Sequence, residues 1–125
     1  MILLLDAHAL LWWLADDDGL APAARRAIAG RASDVLVSAV TVWEIGIKRS
    51  LGRLQAPADV LGAIEAAGFD GLPVTLADGD AAASLPPHHR DPLDRMLVAQ
   101  ALRLGAVLVS RDPAFGPYGV DVLPA

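Results

Sequence analysis

The chain has 125 residues, 54% of them hydrophobic and 20% charged, with no cysteine and a formal net charge of −5. That much apolar surface supports one real core and excludes a disordered chain, and the missing thiols exclude a disulfide scaffold. Ten bases against fifteen acids provide no global positive field, so a phosphate must be captured locally or through a cation.

Residues 1–5 are a continuous apolar run, suited to a buried strand. A short helix is predicted over 8–15, broken by Asp16, Asp17, Asp18 and Gly19. Pro22 opens a second helix at a favoured early position and Gly30 closes it. A second buried strand is predicted over 35–38. Thr41 then reads as an N-cap, with Glu44 three residues later as in a capping box, and the helix runs to about Leu51 before Gly52. The pattern predicts a helix over 57–67, a third short strand over 72–75 and a helix over 77–85 ahead of Pro86 and Pro87.

Asp91 caps the most regular helix in the chain, Pro92 sits just inside it and Gly105 ends it. Leu93, Met96, Leu97, Gln100, Ala101 and Leu104 share one stripe of that helix, apolar except for Gln100. Further strands are predicted over 107–109 and 120–123. Short apolar strands alternating with helices predict an α/β fold with a mostly parallel sheet, the helices supplying the crossovers. No repeat or low-complexity linker divides the sequence, so a single domain over 1–125 is expected. The apolar N-terminus lacks a basic leader and is interrupted by Asp6 and His8, unlike a secretory signal. No stretch reaches the roughly 18 uninterrupted apolar residues of a membrane span. A soluble, cytoplasmic protein is expected.

The acids are informative by position. Asp6 follows the first strand, Glu44 lies in the first turn of the helix after the second, Asp94 in the first turn of the amphipathic helix, and Asp112 just beyond the fourth strand. In a parallel α/β sheet those places share one edge, where sites form. Taken singly, each acid has an ordinary use as a cap, a turn residue or a dipole partner. Taken together they form a cluster whose mutual repulsion a hard divalent cation would relieve. Such an ion, with open positions and waters, suits phosphodiester hydrolysis.

Four ordered blocks carry a family resemblance: LLLDAHALLWWL, VSAVTVWEIGIK, HHRDPLDRMLVAQA and LVSRDPAFGPYGV. The chain resembles PIN-domain ribonucleases, most closely the VapC-type toxins of toxin–antitoxin pairs. The resemblance implies a three-layer α/β/α sandwich around a mostly parallel sheet, and Mg²⁺- or Mn²⁺-dependent cleavage of RNA. It implies an acidic site made of Asp6, Glu44, Asp94 and Asp112, with Asp91 as the helix cap. It also implies a cognate antitoxin as partner, and a homodimer. The Thr or Ser that usually follows the first Asp is Ala7 here, and Ser38 and Thr41 are the hydroxyls available in its place.

Arg90, Arg95 and Arg111 lie within a few residues of the acids and are candidate contacts to RNA phosphates. His88 and His89 read as ordinary polar loop residues after two prolines, and His8 reads as structural. Trp12, Trp13 and Trp43 are assigned to the core by default, with Trp12 or Trp13 as candidate partner contacts. Two alternatives stand beside the nuclease reading. One is an aspartate-based phosphotransferase or phosphatase with Asp6 as nucleophile, disfavoured by His8 at the position of its usual second Asp. The other is a non-catalytic interaction module.

Overall fold

Period-two alternation in β1 (Ile2–Leu5) sends Leu3 and Leu5 to one side of the sheet and Leu4 to the other, and all three are fully buried. Each contributes about 2 kcal/mol of burial free energy. In the computed structural model, which describes residues 1–125, β1 is the central strand. It pairs in parallel with β2 (Asp34–Ser38) on one side and with β4 (Val107–Val109) on the other. β3 (Asp70–Leu72) and β5 (Val122–Leu123) close the edges, giving an all-parallel sheet in the order β3-β2-β1-β4-β5.

Helices cover both faces, as a parallel sheet requires. On one face α1 (Ala7–Leu14), α2 (Pro22–Ala29), α3 (Ala39–Ser50) and α4 (Val60–Ala66) pack Leu10, Ile28, Ile45 and Ile64 against Leu3, Leu5, Val35 and Val37. On the other face α6 (Pro92–Leu104) and a 3₁₀ turn (Pro113–Tyr118) pack Leu97, Val98, Ala101 and Phe115 against Leu4 and Leu108. α5 (Leu76–Ser84) lies against α6. The result is the expected α/β architecture, and no helix is long and apolar enough to cross a membrane.

Several boundaries differ from the sequence reading for local reasons. Ser38, rather than Thr41, caps α3 by accepting the Val40 N–H at 3.1 Å, so the helix begins earlier. Thr41 turns inward, with its hydroxyl 3.5 Å from the Leu5 carbonyl, and Glu44 falls in the second turn. Asp59 caps α4, which therefore starts at Val60 rather than at 57. Thr75 and Asp78 form the capping box of α5, ending β3 at Leu72 where a strand over 72–75 was expected. Trp43 is 63% exposed rather than buried, because Val40, Thr41, Glu44 and Ile45 occupy the inward face of α3. Trp13 packs on Phe69 at 6.1 Å and stays partly buried.

The α5–α6 joint depends on one ion pair. Asp78 is 1% exposed and receives the Arg103 Nε at 2.6 Å, the Arg103 Nη2 at 3.1 Å and the Thr75 N–H at 3.0 Å. Arg103 holds the Asp78 carboxyl below its ordinary range against the opposing effect of burial. That stabilisation is present above the ordinary 3.8 and is lost as pH falls through the lower folded value. Asp78→Ala is expected to cost about 2–3 kcal/mol, the sum of a lost cap and lost charge-assisted bonds. Urea denaturation at neutral pH checks this, with an unchanged slope and a lower midpoint as the expected result.

Candidate metal centre

The strand order reverses direction at β1 and β4, so the two C-terminal ends flank a crevice of the kind where α/β sheets carry sites. β1 delivers Asp6 there. Its N–H continues the ladder to the Val109 carbonyl at 3.1 Å, and its Oδ1 caps α1 through the Ala9 N–H at 2.9 Å. β4 delivers Asp112, whose Oδ1 accepts the Ala114 N–H at 2.9 Å and caps the 3₁₀ turn. α3 brings Glu44 from the side, and the first turn of α6 brings Asp94. All four acids line one cavity of about 310 Å³.

Around the cavity, atoms able to hold a cation fall into two groups that share Asp94. Carboxylate oxygens of Glu44, Asp91 and Asp94 lie within 4.8 Å of one another, and so do a His89 ring nitrogen and oxygens of Asp94 and Asp112. Asp6 belongs to neither group, yet it lines the same cavity and feels the charge of Asp112. Asp91 caps α6 through the Leu93 N–H at 2.9 Å, as expected, and also joins the acidic group.

The electrostatics record this crowding. Burial, then the charges of Asp91 and Glu44, push the Asp94 carboxyl up to about 7. Burial raises Asp6 as well, against the Ser110 hydroxyl and the Ala9 N–H. For Asp112 burial acts upward, but the Ala114 N–H and His89 outweigh it and its carboxyl lies below the ordinary value. The carboxylates of Asp6, Glu44, Asp94 and Asp112, with Asp94 raised by burial and by its acidic neighbours, fit a hard divalent cation. The residues present therefore suit Mg²⁺ or Mn²⁺ chemically.

Positive groups stand on the same walls. Lys48 reaches Glu44 at 3.3 Å, one turn on along α3. Arg111 lies over the Trp12 ring at 4.3 Å and donates to the carbonyls of Ala125 and Gly19. Both residues line the cavity. Arg95 is turned away, donating to the carbonyls of Pro86, Ala82 and Leu85 at 2.8–2.9 Å. That geometry makes it a clamp on the preceding loop rather than a group aimed at substrate. Arg90 is exposed and lies outside the cavity lining.

Two contributors escaped the sequence reading. His89 Nε2 sits 3.0 Å from Asp94 Oδ2 and 2.9 Å from Asp112 Oδ2, whereas it was read as a polar loop residue. The proline pair before it concealed how closely the loop folds back on α6. Ser110 supplies the hydroxyl beside Asp6 and accepts the Asp112 N–H at 3.1 Å. Its position directly after β4, two residues before Asp112, was the available signal. Ser38 and Thr41 are both occupied by backbone groups, and Ala7 is buried at the start of α1.

Known proteins share this arrangement of chain. Ribonuclease VapC22 of Mycobacterium tuberculosis is 31% identical over 112 residues, covering 87% of this chain and 85% of that protein. The structure of VapBC2 from Rickettsia felis, bound to a DNA fragment from their promoter, matches with a TM-score of 0.72 at 10% identity, covering 98% of each chain. FitAcB from Neisseria gonorrhoeae matches with a TM-score of 0.62 at 19% identity, covering 99% of this chain and 97% of that one. A toxin–antitoxin complex from Klebsiella pneumoniae gives 0.63 at 14% identity, covering 97% and 95%. The likeness to these structures is one of fold, whereas the PIN domain profile matches residues 3–119 directly. The chain belongs to the PIN domain family.

Proposed function

We propose that this protein is an endoribonuclease dependent on Mg²⁺ or Mn²⁺ and serves as the toxin of a toxin–antitoxin pair in the cytoplasm. The observation that carries this reading is the single cavity walled by Asp6, Glu44, Asp94 and Asp112, four acids from four separate elements. Kinship with a ribonuclease supports the choice of RNA. Asp6, Glu44, Asp94 and Asp112 would hold the ion, with Asp91 adding charge behind Glu44 and Asp94. A bound divalent ion supplies the charge needed to generate the attacking hydroxide and to stabilise the leaving oxygen of a phosphodiester.

The protein's own side chains do the remaining work. Lys48 and Arg111 offer positive charge on the cavity wall, where a backbone phosphate approaching the acids would otherwise be repelled. Exposed Arg90 extends that charge outside the cavity. Ser110 and the Ala9 N–H hold Asp6 in place. A cognate antitoxin is the proposed partner, supported by the toxin–antitoxin complex from Klebsiella pneumoniae that shares the fold. A second copy of the chain is proposed as well. Exposed Trp43, Leu51, Leu61 and Leu76 provide apolar surface for such contacts.

The test is direct. Purified protein is incubated with total RNA in Mg²⁺ or Mn²⁺, with EDTA, and with EDTA followed by excess metal. Discrete internal cleavage is expected with either ion, none with the chelator, and recovery on re-addition. RNA left intact under every divalent condition, by protein shown to be folded, would overturn the reading.

A further inference from the structure

We infer that His89 is a built-in hydrogen-bond substitute for the cation, a positioning residue that bridges Asp94 and Asp112 until an ion takes over their oxygens. This inference rests on the metal-site reading above and assigns a role to a side chain outside the carboxylate set.

The argument starts from the two ring nitrogens. Nδ1 of His89 accepts the Asp91 N–H at 3.1 Å. A nitrogen that accepts cannot carry the proton, so in the neutral ring the proton is on Nε2. Nε2 faces Asp94 Oδ2 at 3.0 Å and Asp112 Oδ2 at 2.9 Å. One N–H is thus shared between two carboxylates that would otherwise repel each other across the cavity. A protonated Nε2 has no lone pair for a metal. His89 is therefore a donor to the ligand set and not a member of it, although its distances alone suit a ligand.

The surroundings fix this geometry without help from the imidazole. The backbone N–H of residue 89 donates to the Tyr118 hydroxyl at 2.7 Å, and Arg95 holds the carbonyls of Ala82, Leu85 and Pro86. The ring itself rests against Phe115 at 5.6 Å. Loop and ring are anchored separately, so the side chain can be removed while its backbone anchors remain. An ion entering the cavity competes with Nε2–H for Asp94 Oδ2 and Asp112 Oδ2. The histidine thus opposes loading, and it keeps the two acids aligned when no ion is bound.

The two possible roles predict opposite signs. If His89 competes with the ion, His89→Ala tightens Mn²⁺ binding by about tenfold, or roughly 1.4 kcal/mol. The same variant lowers the melting temperature in EDTA, since two carboxylates lose their shared donor. His89→Gln can place an amide N–H near the former Nε2 position and is expected to restore both values most of the way. Titration calorimetry with Mn²⁺ alone reads the affinity, and thermal unfolding in EDTA reads the second effect. Weaker Mn²⁺ binding by His89→Ala would make His89 a ligand and overturn the inference. Unchanged binding in a folded variant would also overturn it, while leaving the metal site intact. Failure of the wild-type protein to bind Mn²⁺ at all would remove the metal reading and this inference together.

Discussion

Asp94→Asn is expected to lose RNA cleavage by at least about 100-fold while folding normally. Groups that merely orient a metal ligand cost about 10–100-fold when removed, and Asp94 is the member common to both ligand groups. The same change is expected to stabilise the protein in EDTA. The Asp94 carboxyl lies near 7 in the folded chain against an ordinary 3.8, so between these values the native state binds more protons than the unfolded one. Native stability then falls as pH rises through that window. Asparagine carries no charge and removes the penalty, which is on the order of 2–4 kcal/mol at pH 8. Thermal unfolding in EDTA at pH 5 and pH 8 checks it. A gain for the variant at the higher pH and a smaller one at the lower is expected. Cleavage at the wild-type rate, or destabilisation at pH 8, would remove Asp94 from the centre.

Arg95→Ala tests a residue whose role changed between sequence and structure. Its guanidinium satisfies three carbonyls at the C-terminal end of α5 and in the following loop, where a cation also complements the helix dipole. Loss of these charge-assisted bonds is expected to cost about 3 kcal/mol. Because the clamped loop carries His89 and leads to Asp91, cleavage should fall by about 10–100-fold through misplaced acids. Arg95→Lys should recover only part of either loss, since an ammonium lacks the planar fork that spans three acceptors. Denaturation and initial-rate measurements distinguish this from RNA binding. A variant of full stability with only a raised KM would return Arg95 to the substrate-contact role.

The legible part of this chain was the part governed by local chemistry. Asp91, Pro92 and Gly105 marked α6 at both ends, and Gly105 is left-handed as such a stop requires. The apolar runs marked β1, β2 and β4, and the acids that follow them were readable as one edge because strand direction was. Thr41 and Glu44 show where pattern misleads, since the capping-box spacing was present but Ser38 stood closer to the strand end and took the cap. His89 was hidden for a different reason. Its importance comes from a loop folding back over α6, a contact set by Arg95 and Tyr118, and no periodicity encodes it. Ser110 shows the same limit at shorter range. Its neighbour in sequence is predictable, but its neighbour in space, Asp6, lies at the other end of the chain.

The four cavity acids extend from position 6 to position 112. No early fragment emerging from a ribosome contains them all, and none can pair β1 with the late strand that completes the crevice. The hazardous activity proposed here would thus be withheld until β4 and Asp112 have been made, arising only when that strand threads into place beside β1.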